Sequence, residues 1–106
     1  MPPNVNINPA AKAELSHHVL YLHFHATPRT AERFVEAVYK SFEQLSKMPE
    51  LGAELPVRRA LLSGIRCWPV KKPFQKYVIY YRMDNNTIEI VHLLHGARDS
   101  DSILGT

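Results

Sequence analysis

The apolar residues of this chain change their period near Pro56, and that change restricts the folds open to it. Before it, Ala31, Phe34, Val35, Val38, Phe42 and Leu45 recur every three to four residues, the spacing of one helix face. After it the period falls to two. Ser63 to Val70 alternates, with Ile65, Cys67 and Pro69 opposite Arg66, Trp68 and Val70. Tyr77 to Met83 is dense in the β-branched and aromatic residues that suit a pleated surface. A chain whose helices come first and whose strands follow packs the helices on one face of an antiparallel sheet, which is an α+β domain.

Local signals fill in the order. Val5-Asn6-Ile7 reads as a short edge strand. Asn8-Pro9 supplies an N-cap and a proline at the first helical position, and Ala11, Leu15, Val19 and Leu22 carry the helix on to about His25. Thr27-Pro28 repeats the start signal, and Pro49 and Gly52 mark the stop of the second helix. So short a link implies antiparallel neighbours, a helical hairpin. Asp84-Asn85-Asn86 is a turn, because asparagine tolerates left-handed backbone angles. Thr87 to Leu94 is the last strand, with Ile88, Ile90 and Leu94 expected to share a face with His92, and Glu89 and His95 on the other. The expected architecture is one domain over residues 1–106: a short N-terminal strand, an α-helical hairpin, then a three-stranded antiparallel meander.

At 106 residues and 45% hydrophobic, the chain builds only a small core, so a tight partner adds much to its stability. The start, Met1-Pro2-Pro3-Asn4, has neither the basic cluster nor the apolar run of a signal peptide, and no stretch approaches the ~20 apolar residues of a membrane span. The lone Cys67 excludes an internal disulfide framework and a multi-cysteine zinc site. These features lead us to expect a cytoplasmic protein with no cofactor. The net charge of +3 is unevenly spread. Arg58, Arg59, Arg66, Lys71, Lys72, Lys76 and Arg82 fall between Leu55 and Met83 with no acid among them. Such a block is either a solvated face or a surface for an acidic partner, nucleic acid or protein.

With the strands placed, a family pattern emerges. Gly64-Ile65-Arg66-Cys67-Trp68-Pro69-Val70 precedes Phe74 and Tyr77-Val78-Ile79-Tyr80-Tyr81-Arg82; Ile88-Glu89-Ile90-Val91 and Leu93-Leu94-His95-Gly96-Ala97-Arg98-Asp99 follow. This closely resembles the ParE branch of the ParE/RelE toxin superfamily, and nearly the whole chain takes part. Ala11, Ala13, Glu14, Leu15 and Tyr21 look like that family's opening segment, and Ala31, Phe34, Leu45, Pro49 and Gly52 like its second helix and following turn. The resemblance implies a RelE/ParE-like fold and a growth-inhibiting toxin held inactive by a cognate ParD-like antitoxin. It further implies DNA gyrase as target, with no direct sequence-specific DNA binding expected from the toxin alone. RelE-like relatives share the fold but cleave mRNA on the ribosome.

The residues bear on that choice. RNA cleavage needs a base, an acid and cations around one phosphate. Arg66, Arg82, His92 and His95 are the available candidates, yet no tyrosine follows Tyr81, and His92 occupies the last strand where a phosphate-binding arginine would serve. A gyrase poison needs a binding surface rather than a catalytic group. Arg58, Arg59, Arg66 and Trp68 suit such an interface, with His95 and Arg98 in the tail as further contacts. Each has a structural alternative: core packing for Trp68 and His92, a backbone bond for the His95 imidazole, and a salt bridge or a cap for Arg98 and Asp99. His17, His18, His23 and His25 lack a carboxylate at metal-site spacing and read as exposed helical histidines. Cys67 reads as a small core filler. Leu20, Phe24 and Tyr39 fall off the apolar stripes and are the candidates for antitoxin contact, because antitoxins of this kind fold a disordered segment onto the toxin; the alternative is that they pack within the hairpin.

Overall fold

The computed structural model describes residues 4–55, 64–96 and 99. The side chain of Asn8 accepts from the Ala11 N–H at 2.9 Å and opens α1, Pro9–His25. Thr27 Oγ1 accepts from the Thr30 N–H at 3.0 Å and opens α2, Pro28–Lys47. Both starts use the cap-then-proline signal read in the sequence. A 3-10 turn, Pro49–Leu51, leads to the strands: β2 Ala53–Glu54, β3 Arg66–Pro69, β4 Tyr77–Asp84 and β5 Thr87–His95, with β1 at Asn4–Ile7.

These five strands form one sheet in the order β1-β5-β4-β3-β2. The expected meander is β3-β4-β5, antiparallel throughout. The N-terminal strand is an edge strand, as expected, and lies parallel to β5. The two-residue β2 was not anticipated; two residues hold no period to read. Asp84 pairs with Thr87 across the β4–β5 turn, and Asn85 takes a positive φ of 57°.

The hairpin covers one face of the sheet. Phe34, Val38, Phe42 and Leu45 from α2 and Ala11 from α1 meet Tyr77, Ile79, Tyr81, Ile88, Ile90 and Leu93. The opposite face carries a smaller cluster of Ile65, Tyr80 and Leu94, with Cys67 and Val91 packed against it. In β3 the expected alternation holds: Cys67 faces the small cluster and Trp68 packs on the helix side. Burial pushes the Cys67 thiol pKa up, so the residue is a packing group rather than a nucleophile.

The last strand departs from expectation. Tyr81 pairs with Ile90 but Tyr80 pairs with His92, so Val91 is an extra residue, a β-bulge. Regular alternation would keep Leu94 with Ile88 and Ile90. The bulge reverses the faces, so Leu93 joins Ile88 and Ile90 in the main core while Leu94 lies in the opposite cluster.

Two buried side chains tie the connections to this frame. Ser41 Oγ donates to Ala37 O at 2.8 Å and accepts from the Lys71 N–H at 3.0 Å, which fixes the β3–β4 turn to α2. The fully buried Tyr81 hydroxyl donates to Pro49 O at 2.7 Å and accepts from the Gly52 N–H at 2.8 Å. Burial raises its pKa, outweighing the opposing bond from Gly52, so it stays a donor through neutral pH. Gly52 is required by proximity: a Cβ there would stand 2.5 Å from the tyrosine oxygen and 2.9 Å from Cys67 O.

Candidate functional site

Three of the described residues singled out for chemistry, Arg66, Arg82 and His92, hold polar partners within the chain. Arg66 Nη1 donates to Gly52 O at 2.7 Å and to Glu50 O at 3.4 Å, holding the segment that Tyr81 also holds. Arg82 Nε donates to Glu89 at 2.6 Å across the β4–β5 pair. His92 Nδ1 lies 2.8 Å from the Glu14 carboxylate. The His95 ring stands edge-on to Tyr77, with centroids 5.1 Å apart, and its buried Nδ1 meets no hydrogen-bond partner among the described residues. Its backbone N–H is taken by the Asp99 carboxylate at 3.0 Å, so the expected cap at Asp99 is present. Trp68 is partly buried against the main core. Arg58, Arg59 and Arg98 lie outside the described residues.

Nor do these side chains converge. Arg66 pairs with Tyr81 and His95 with Tyr77, which separates them by about 13 Å along β4 at the usual strand rise. Arg82 follows Tyr81, whose side chain points into the helix-side core, so Arg82 projects from the other face.

One polar constellation was missed in the sequence. Among the described residues the edge of β5 has no neighbouring strand beyond Ile90, because β1 pairs only with Thr87 to Ile90. Two α1 side chains take its place. Glu14 Oε1 accepts from the Leu93 N–H at 2.9 Å, and His18 Nε2 donates to Leu93 O at 2.8 Å. His18 is therefore not an exposed helical histidine. It is 3% exposed and packs edge-on against Phe34 and Tyr77. Its place was legible: residues 11, 15, 18 and 22 fall on one helical stripe, and His18 is the polar member of it. The partner could not be read, because only the bulge turns the Leu93 amide toward α1. Glu14, His17 and His18 line one side of a hollow of about 320 Å³, with Leu94 and Asp99 on the other.

The outer face of α1 leaves large apolar side chains open. Leu15, Val19 and Leu22 pack inward, yet Leu20 is 57% and Phe24 74% exposed. Tyr21 stacks on His25 at a centroid distance of 4.4 Å, and Phe24 lies edge-on to His23 at 4.9 Å. On α2, Tyr39 is also half exposed, beside Phe42. The alternative that Leu20, Phe24 and Tyr39 pack within the hairpin does not hold. The exposed side of α1 therefore carries Leu20, Tyr21 and Phe24 beside its polar residues, large apolar groups that a partner would cover.

Among the described residues no helix is long and apolar enough to cross a membrane. The fold has solved counterparts. The structure of a chromosomal ParDE toxin–antitoxin system from P. aeruginosa superposes with a TM-score of 0.71 at 16% identity, covering 88% of this chain and 95% of that one. The toxin–antitoxin complex RelBE2 from Mycobacterium tuberculosis gives 0.55 at 25% identity, over 90% and 99% of the two chains. No curated protein sequence matches the chain. The family model described as the ParE toxin of the type II toxin–antitoxin system parDE matches residues 5–100. The helical hairpin, the sheet it covers and the last strand all lie within that match: this chain belongs to the ParE toxin family of type II toxin–antitoxin systems.

Proposed function

We propose that this toxin acts in the cytoplasm by binding and inhibiting DNA gyrase, performs no bond chemistry of its own, and is neutralised by a ParD-like antitoxin. The observation that carries the reading is the engagement of the sheet's polar side chains. A ribonuclease must present a base, an acid and cations to one phosphate. Here Arg66 is bound to carbonyl oxygens, Arg82 to Glu89 and His92 to Glu14, and His95 stands about 13 Å along β4 from Arg66. A gyrase inhibitor needs only a surface. Arg58, Arg59, Arg66, Trp68, His95 and Arg98 are its proposed contacts. The antitoxin covers Leu20, Phe24 and Tyr39, whose exposure on a small domain is what a folding-on-binding partner removes.

The test is a pair of assays on the purified full chain: gyrase supercoiling, and mRNA integrity in translating ribosomes. Loss of supercoiling with intact mRNA is expected. Cleaved mRNA with normal supercoiling would overturn the reading in favour of a RelE-like ribosome-dependent endonuclease, the alternative on the same fold. Paired alanine substitutions of Arg98 and His95 test the tail: unchanged toxicity removes it from the contact surface.

A further inference from the structure

We infer that the outer face of α2, together with the β3–β4 turn, is a docking strip for the phosphate backbone of duplex DNA. Arg33, Lys40 and Lys47 recur every seven residues along α2. Seven residues advance about 10.5 Å and return almost to the same side of a helix, so the three cations form a straight row about 21 Å long. Lys71 and Lys72 form a second row on the turn that Ser41 ties to α2. Arg33, Lys40, Lys71 and Lys72 line one open groove between the rows, of about 270 Å³, and Lys40, Lys47 and Lys71 line the next.

Two carboxylates lie in the strip. Glu36 contacts Lys40 at 3.0 Å and Glu43 contacts Lys47 at 3.4 Å, with all four side chains more than half exposed. Exposed i,i+4 pairs of this kind contribute little, so both lysines are available to a stronger anion. Five cations against two carboxylates leave the strip clearly positive.

Its chemistry favours a duplex backbone over other anions. Of the groove's apolar residues, Ala37 is buried and Phe74 packs edge-on against Phe34 at 5.3 Å, which leaves Pro73 as the exposed one. An acidic peptide therefore finds few apolar anchors, and unpaired bases find no free ring to stack on. What remains is a rigid row of charges, which matches sequence-independent phosphate contact. The choice of DNA over duplex RNA rests on the gyrase reading, since that target itself holds duplex DNA.

The test uses the purified full chain and a fluorescent duplex of about 20 base pairs at about 50 mM salt, read by anisotropy. Binding is expected to weaken with salt at a log–log slope of about −3, corresponding to three or four phosphates neutralised. K71E/K72E is expected to weaken binding roughly tenfold or more and reduce the slope by about 2, while K12E on α1 leaves it within about twofold. Glu36→Gln/Glu43→Gln, which removes only the interleaved carboxylates, is expected to tighten it. Circular dichroism melting establishes that each variant is folded. Absence of binding up to about 100 µM, or unchanged binding by folded K71E/K72E, overturns the inference. Tighter binding of an oligoglutamate peptide or of duplex RNA also overturns it. Supercoiling is measured in parallel. DNA binding without gyrase inhibition keeps the strip and discards the gyrase target, and inhibition without DNA binding does the reverse.

Discussion

Glu14→Ala tests whether α1 side chains stand in for a missing strand. The substitution removes two acceptors at once: one for the Leu93 N–H, the other for His92 Nδ1. Leu93 is 1% exposed, and a buried amide deprived of its acceptor costs about 1–3 kcal/mol. The side chains of His92 and Glu14 are 31% and 24% exposed, so solvent replaces much of that bond and its share stays below about 1 kcal/mol. Together the loss is about 1–4 kcal/mol, a large part of a small domain's stability. In a thermal melt this lowers Tm by roughly 5–20 °C. Glu14→Gln keeps an oxygen for Leu93 and is expected to lose less than half as much. Amide hydrogen exchange gives a local reading: the Leu93 N–H should exchange faster in the alanine variant, while the Ile79 amide on the neighbouring strand follows global stability only. A Tm for Glu14→Ala within about 2 °C of the parent, with Leu93 exchange unchanged, would refute the account.

Gly52→Ala is expected to destabilise by about 1–3 kcal/mol in denaturant titration, since the added carbon meets the Tyr81 ring and a backbone oxygen. The raised pKa of Tyr81 predicts alkaline lability. The folded state holds this proton more tightly than the unfolded state, so its contribution is complete below the ordinary tyrosine value near 10 and is lost as pH rises through the folded value. Tyr80, raised by burial and by the Cys67 thiolate, acts in the same direction. Melts across that range should show falling stability in the parent and a shallower fall in Tyr81→Phe. Phe24→Ser is expected to leave Tm nearly unchanged, because the ring is 74% exposed, while weakening antitoxin binding about tenfold or more in calorimetry.

Much of the architecture was legible because two periods were. The cap-proline pairs gave both helix starts, the stripe on α2 gave its buried face, and β3 alternated as read. The bulge at Val91 was not legible, since Val91, His92, Leu93 and Leu94 include three apolar residues in a row of four and either parity fits them. That single extra residue moved Leu94 to the other face and hid the partners of Glu14 and His18. At the candidate site, the exposure of Leu20, Phe24 and Tyr39 followed from their position off the stripes. The internal bonds of Arg66 did not. They depend on β2 and the 3-10 turn, elements too short to leave a pattern.

The bulge also decides where the last strand can change length. Before Val91 the Ile90 carbonyl points to the outer edge and accepts from the Asn8 N–H; after it, the Leu93 amide and carbonyl do so. Removing Val91 leaves a plain ladder in which Ile90 and Leu93 keep both their faces and their edges. Removing Glu89 instead would turn the start of the strand inside out against β1. β5 therefore has one position where a residue can be dropped and the fold kept, and family members one residue shorter there would still present the same atoms to α1.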